Sequence, residues 1–293
     1  MKTRIAVLLV LTMMSFQSCK EREMSSDMKI IFLHHSTGEA IWNGSPPSII
    51  KRAARKISNR FADLIAKKAR LPYLMDKYNK ENDKNYLIKE MAFPKASPYG
   101  WNNMPFDYYN IWVYHAGEEP FMTEPTLEIL TKEYQVVIFK HCYPVSNIEP
   151  DPDSADINSY YRSLSNYKLQ YSALRDKLHA FPETKFILFT GAVHVKENLK
   201  EDEAIRAKEF YTWVTEEWDL PDDNIYLWDL YSLQTEGGLY FKDEYAVSFN
   251  NSHPNGIFAG RVVNLLFNRI VDVIETNGER TTPEGNWKQS YSD

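Results

Sequence analysis

The feature that most constrains this chain is the rhythm of its second half. Short apolar runs alternate with segments of helical period: YQVVIFKH (134–141), DINSYYRSLSNYKLQYSALRDKLHAF (156–181), KFILFTG (185–191), EDEAIRAKEFYTWVTEEW (201–218), NIYLWDL (224–230) and NGIFAGRVVNLLFNRIVDVIE (255–275). The runs at 134–141, 185–191 and 224–230 are continuously apolar rather than alternating, which marks strands buried on both faces. Strands that alternate with helices predict a mainly parallel sheet covered by helices on both sides, an α/β fold. KIIFLHH (29–35) fits as the first strand and NYLIKEMAF (85–93) as a short one. TLEILTKE (126–133) fits a short helix, and 156–181 a long one with Tyr160, Leu164, Tyr167, Tyr171, Leu174 and Leu178 on one face. A further helix is predicted over 46–69, opened by Pro46 and Pro47, with Ile50, Ala54, Ile57, Phe61, Leu64 and Ile65 at helical spacing. Its lysines and arginines form a solvated face. The stretch 94–125 has no clean period and is expected to be a long loop, packed over a site or part of one.

The first 19 residues stand apart. MKTRIAVLLVLTMMSFQSC carries two early cations, an apolar run too short to span a bilayer, and then small and polar residues. Its end, with Ser18 before Cys19, resembles a bacterial lipoprotein lipobox. That resemblance implies cleavage, lipidation of Cys19 and a lipid-anchored place in the bacterial cell envelope. Residues 20–28 are charged and apolar-poor, as suits a tether, and 29–293 are expected to form one domain. About 270 residues suffice for one large core. The net charge is −6, and −8 once Lys2 and Arg4 are gone. No basic block accompanies it, so nucleic acid is not an expected partner. With Cys19 lipidated, Cys142 has no partner for a disulfide.

In an open parallel sheet, ligands bind beyond the carboxyl ends of the strands. Five segments deliver polar groups there: His34, His35 and Ser36; His141 and Cys142; Gly191 and His194; Asp229; and His253 just before the last helix. Several chemistries can be weighed against this set. No H-E-x-x-H occurs, and adjacent His34 and His35 in a strand face opposite ways, so a zinc site lacks support and no cofactor is expected. A metal-dependent hydrolase using His34, His141 and His194 stays open as a third alternative. HHSTGEAIWNG has no glycine pattern for a phosphate, and no G-x-S-x-G nucleophile elbow is present. A serine after the first strand and a histidine near the end remain, and sequence distance does not bar them from meeting.

Ser36 after the first strand, with NNSHPNGIFAG around His253, resembles the SGNH (GDSL-type) hydrolase superfamily. The resemblance spans nearly the whole chain after the leader in element order. It implies a three-layer α/β/α, flavodoxin-like fold, Ser36 as nucleophile on an ester carbonyl and His253 as general base. HHSTG stands where the family has G-D-S. The family's aspartate falls at Asn250, three residues before His253. An asparagine can orient an imidazole but carries no charge to stabilise the imidazolium; in serine proteases that exchange costs about 10⁴-fold in turnover. Three outcomes are open: another carboxylate (Asp243, Glu244 or Asp229) takes the role, a Ser–His dyad works alone, or hydrolysis is lost and binding kept.

For the oxyanion, the family uses the serine N–H, a glycine and an asparagine. The corresponding candidates are Ser36, then Gly100 and Asn102, then Asn147 or His141 after the strand at 134–141. Cys142 is expected to be buried and inert. Trp42, Trp101, Tyr108 and Trp112 are candidate platforms for a sugar, with His194 as a further substrate contact. Two functions follow: an envelope lipoprotein hydrolase cleaving an ester, an acyl or acetyl group on a small molecule or carbohydrate; or a non-catalytic SGNH-like surface protein that binds carbohydrate.

Overall fold

The computed structural model describes residues 27–45, 69–95 and 97–289. The leader with Cys19, most of the tether and the predicted helix over 46–69 lie outside the described residues, Ala69 excepted. Five strands form the main sheet: β1 (Met28–His34), β2 (Tyr86–Ala92), β3 (Val136–Phe139), β4 (Lys185–Phe189) and β5 (Ile225–Trp228). All neighbours run parallel, in the order β2-β1-β3-β4-β5. The apolar runs of β1, β3, β4 and β5 are buried because helices cover both faces.

One helix layer holds α1 (Ser36–Asn43), α2 (Arg70–Asn82) and α8 (Gly256–Thr276), which pack on one another. The other holds α3 (Pro105–Tyr108), α5 (Leu164–His179) and α6 (Glu201–Trp213). Two short helices, α4 (Leu127–Glu133) and α7 (Leu230–Thr235), complete the connections. A small antiparallel hairpin, β6 (Ala246–Ser248) with β7 (Asn251–Pro254), lies between α7 and α8. The described residues thus form a three-layer α/β/α sandwich in the flavodoxin strand order. Among them, no helix is long and apolar enough to cross a membrane.

Helix ends follow local chemistry. Asn255 caps α8 by accepting the Phe258 N–H at 3.0 Å, and Asn277 at φ 54° ends it. α5 starts at Leu164, later than its periodicity predicts, because Ser163 is extended and caps the Asn166 N–H at 3.3 Å. Tyr160 therefore lies outside the helix, about half exposed, with its ring edge-on to Phe106. The segment 94–125 is also more regular than expected. Pro105 opens α3, which runs on as a π-helical turn (Tyr109–Tyr114), and Tyr108, Ile111 and Trp112 are buried. The abundance of tyrosine and tryptophan on both sides of this helix hid its period.

Asp107 in α3 is buried; its Oδ2 accepts the Met104 N–H at 2.8 Å while Oδ1 has no partner. Burial raises its pKa from 3.8 to about 7. The folded chain thus keeps this proton to higher pH than the unfolded chain. Between about pH 4 and pH 7 the unfolded state binds fewer protons, so this group lowers stability as pH rises through that window. Asp107→Asn keeps an acceptor for Met104 and should flatten that part of the decline in Tm, as thermal unfolding across the window would show.

Candidate functional site

In this strand order, the connections leaving β1 and β3 diverge, opening a crevice at their carboxyl ends. Ser36 stands at that crevice, as the first residue of α1 directly after β1. His35 before it is extended, which turns the chain from strand into helix within one residue. The turn is tight because α1 lies almost on its own strand: a Cβ at Gly38 would stand 2.3 Å from His34 Cβ. The Glu39 N–H is the first to close on a carbonyl, His35 O at 2.9 Å. The preceding N–H groups, Ser36 included, belong to the open helix N-terminus and have no partner within the helix.

The hairpin brings His253 to Ser36. His253 Nε2 lies 2.9 Å from Ser36 Oγ, and Nδ1 lies 2.7 Å from Asn251 Oδ1. The protonation pattern follows from the backbone. The His253 N–H also donates to Asn251 Oδ1, at 3.2 Å. A backbone N–H can only donate, so that atom is the amide oxygen, and the nearby Nδ1 must carry a hydrogen. In the neutral ring Nε2 is then the bare nitrogen and accepts from the Ser36 hydroxyl. The pair has the geometry and tautomer of a serine with its general base.

The residue orienting His253 is Asn251 and not Asn250. In extended β7, residues two apart share a face, so Asn251 and His253 stand together. Asn250 lies in the turn before β7: its Oδ1 accepts from Ser248 Oγ at 2.7 Å and its carbonyl from Asn198 at 3.0 Å. The three carboxylates considered for this role are placed elsewhere. Asp229 Oδ1 accepts from Thr190 Oγ1 at 2.5 Å and from the Ser232 N–H at 3.1 Å as the cap of α7. Asp243 and Glu244 are exposed on the turn before β6, and Asn251 occupies the Nδ1 position they would need.

Ser252, between the two, faces the interior. Its Oγ accepts the Val195 N–H at 3.2 Å and the Asn198 amide N–H at 3.5 Å, which fills both its acceptor positions, and lies 2.8 Å from His194 Nδ1. The serine's own hydrogen therefore goes to Nδ1, leaving His194 with its proton on Nε2, which makes no hydrogen bond among the described residues. Burial, with the charges of Arg162 and His253 added and that of Glu203 opposing, lowers the His194 pKa to about 4, so the ring is neutral near pH 7. Tyr143, on the turn after β3, joins the rings: its centroid lies 4.6 Å from His194, 5.2 Å from His253 and 6.1 Å from half-exposed Trp101. The loop of Gly100, Trp101 and Asn102 is held at the β3 end by the Cys142 N–H on Asn102 O, at 3.2 Å.

The remaining candidates sit elsewhere. His141 is fully buried and both ring nitrogens are engaged, with Asn103 O and the Tyr171 hydroxyl; burial lowers its pKa to about 3. It has no hydrogen to offer an oxyanion. Asn147 reaches Glu203 at 3.4 Å. Trp42 is core, near Phe32 and His34; Tyr108 is core, bonded to Lys140 O at 2.8 Å; Trp112 is fully buried. His34 bonds Glu90 and His35 bonds Pro94 O, so neither enters the crevice. Cys142 is buried, with Lys140 Nζ 3.1 Å from its sulfur. Among the described residues, no three His, Cys, Asp or Glu side chains are placed to hold a metal ion.

No family model matches the chain, and no curated protein does. Among solved structures it is similar to one described as a carbohydrate esterase whose active site displays divergent catalytic and non-catalytic binding functions. That likeness covers 86% of this chain and 69% of the other, at 13% identity and a TM-score of 0.38.

Asn251, Ser252 and Tyr143 are site residues the sequence did not single out. Strand alternation back from His253 points to Asn251, and position after an apolar strand points to Tyr143. The assignment has a direct check. In the proton spectrum, Asn251→Ala should move the His253 Nδ1–H resonance, whereas Asn250→Ala should leave it in place; the reverse pattern would return the role to Asn250.

Proposed function

We propose that the protein is an SGNH-type serine esterase, anchored in the bacterial cell envelope through Cys19, that removes an acyl group, such as acetyl, from a carbohydrate. The observation that carries this is the 2.9 Å contact between Ser36 Oγ and the bare Nε2 of His253. Ser36 attacks the ester carbonyl as His253 takes its proton; the oxyanion forms beside the open N-terminus of α1. His253 then returns the proton to the departing alcohol, and water repeats the sequence on the acyl-enzyme. Half-exposed Trp101 offers a ring face to a sugar. Release of Cys19→Ala protein from the membrane fraction would support the anchor.

Asn251 tempers the chemistry. It holds the tautomer but adds no negative charge as His253 becomes an imidazolium. Purified protein should hydrolyse a small activated acetyl ester, and Ser36→Ala should lower kcat on the order of 10³-fold or more. Asn251→Asp should raise kcat with little change in KM. Unchanged turnover in Ser36→Ala removes this serine from the reaction. The neutral orienter also favours a second function, a surface protein that binds carbohydrate without cleaving it. Absence of turnover in the wild type, together with saturable sugar binding beside Trp101, would select that one.

A further inference from the structure

We propose that His194 selects the alcohol part of the ester: its Nε2–H binds an oxygen that the alcohol carries beyond the ester itself. This role rests on the esterase function and specifies what its substrate must offer.

Hydrogen bonding leaves His194 with one unused donor. Ser252 Oγ accepts the Val195 N–H at 3.2 Å and the Asn198 side-chain amide at 3.5 Å, so its own hydrogen goes to His194 Nδ1, 2.8 Å away. The neutral ring then carries its hydrogen on Nε2, on the far side from Ser252. Nε2 makes no hydrogen bond among the described residues, and it is not one of their unpaired side-chain atoms that are closed off from water. The residue is 9% exposed, so a ring nine-tenths buried keeps this donor open. The ring is also fixed in place. The His194 N–H donates to Ser146 Oγ at 3.3 Å, its carbonyl accepts the Phe241 N–H at 2.9 Å, and Nδ1 is held by Ser252. A donor positioned before the ligand arrives lowers the ordering cost of binding.

Position assigns this donor to the alcohol rather than to the oxyanion. The oxyanion forms beside the open N-terminus of α1. His253 must hand its proton to the departing oxygen, so the alcohol lies within hydrogen-bond reach of His253 Nε2. Tyr143 stands edge-on to His253, with ring centroids 5.2 Å apart, and His194 is the other imidazole on that ring, at 4.6 Å. An alcohol that extends from the serine on the His253 side meets Tyr143 and His194.

The acceptor follows from the charges. Glu203 and Arg162 act on His194 with opposite signs, so neither an anion nor a cation is favoured there. A hydroxyl or ring oxygen is the neutral acceptor an alcohol can bring, and the Tyr143 ring offers an apolar contact beside it. An alkyl alcohol of the same shape would cover the donor and leave it unpaired, which is how a polar group in a buried wall rejects an analogue that lacks its partner.

The test compares mono-acetylated methyl glucoside and methyl xyloside with cyclohexyl acetate, which has a ring but no acceptor beyond the ester. His194→Asn keeps an acceptor for the Ser252 hydroxyl and removes the Nε2 donor, whereas His194→Gln places an amide N–H near the Nε2 position. In active wild-type protein at least one glycoside acetate should have a higher kcat/KM than cyclohexyl acetate. His194→Asn should reduce that advantage about tenfold, mainly through KM, and His194→Gln should recover most of it. A second arm uses Ser36→Ala protein with isotope-labelled histidine. The preferred glycoside acetate should move the His194 Nε2–H resonance saturably, and cyclohexyl acetate should not. No glycoside preference in active wild type, an equal loss on both kinds of ester in His194→Asn, or an Nε2–H resonance that neither glycoside moves would each overturn the role. A resonance that moves in protein without turnover would uphold the His194 contact while the esterase function fails.

Discussion

Burial of β1, β3, β4 and β5 on both faces confines hydrogen-bonding side chains to the two ends of the sheet, and the rest of the molecule is arranged around that confinement. Polar residues that stay within it are tied down at once. His141 spends both ring nitrogens on Asn103 and Tyr171, and Lys140 turns its ammonium to His141 O and Cys142 Sγ. At the carboxyl edge the pairing is between side chains, Ser36 with His253 and Ser252 with His194.

At the carboxyl edge, placement comes from a three-residue stretch of β7. Alternation along an extended strand sends Asn251 and His253 outward to Ser36 and Ser252 inward to His194 and Val195. One short strand therefore supplies His253, the residue that orients it and the anchor that holds both in place. Gly38 is the counterpart on the serine side. Its missing side chain lets α1 settle on His34, which sets where the Ser36 hydroxyl starts.

Much of the fold was legible because continuous apolar runs and helical periods are direct records of burial. Ser36 and His253 were legible as polar residues ending or preceding buried elements. Asn251 was not, because a family spacing of three residues pointed to Asn250, whereas a strand pairs faces at spacing two. The segment 94–125 hid its helix because aromatic side chains occur on every face of it. Trp42 and Tyr108 show the limit of composition: an aromatic ring that could stack on a sugar looks the same in sequence as one that fills the core.

Asn251 has a consequence for which molecules can approach. An aspartate at that point would place a permanent negative charge beside the serine and repel acidic ligands over several ångströms of poorly screened space. The amide leaves the crevice without that field. On the proposed function, acidic and neutral sugars would then meet the serine on more equal terms, and discrimination between them would pass from long-range electrostatics to shape and contact at Trp101 and Tyr143.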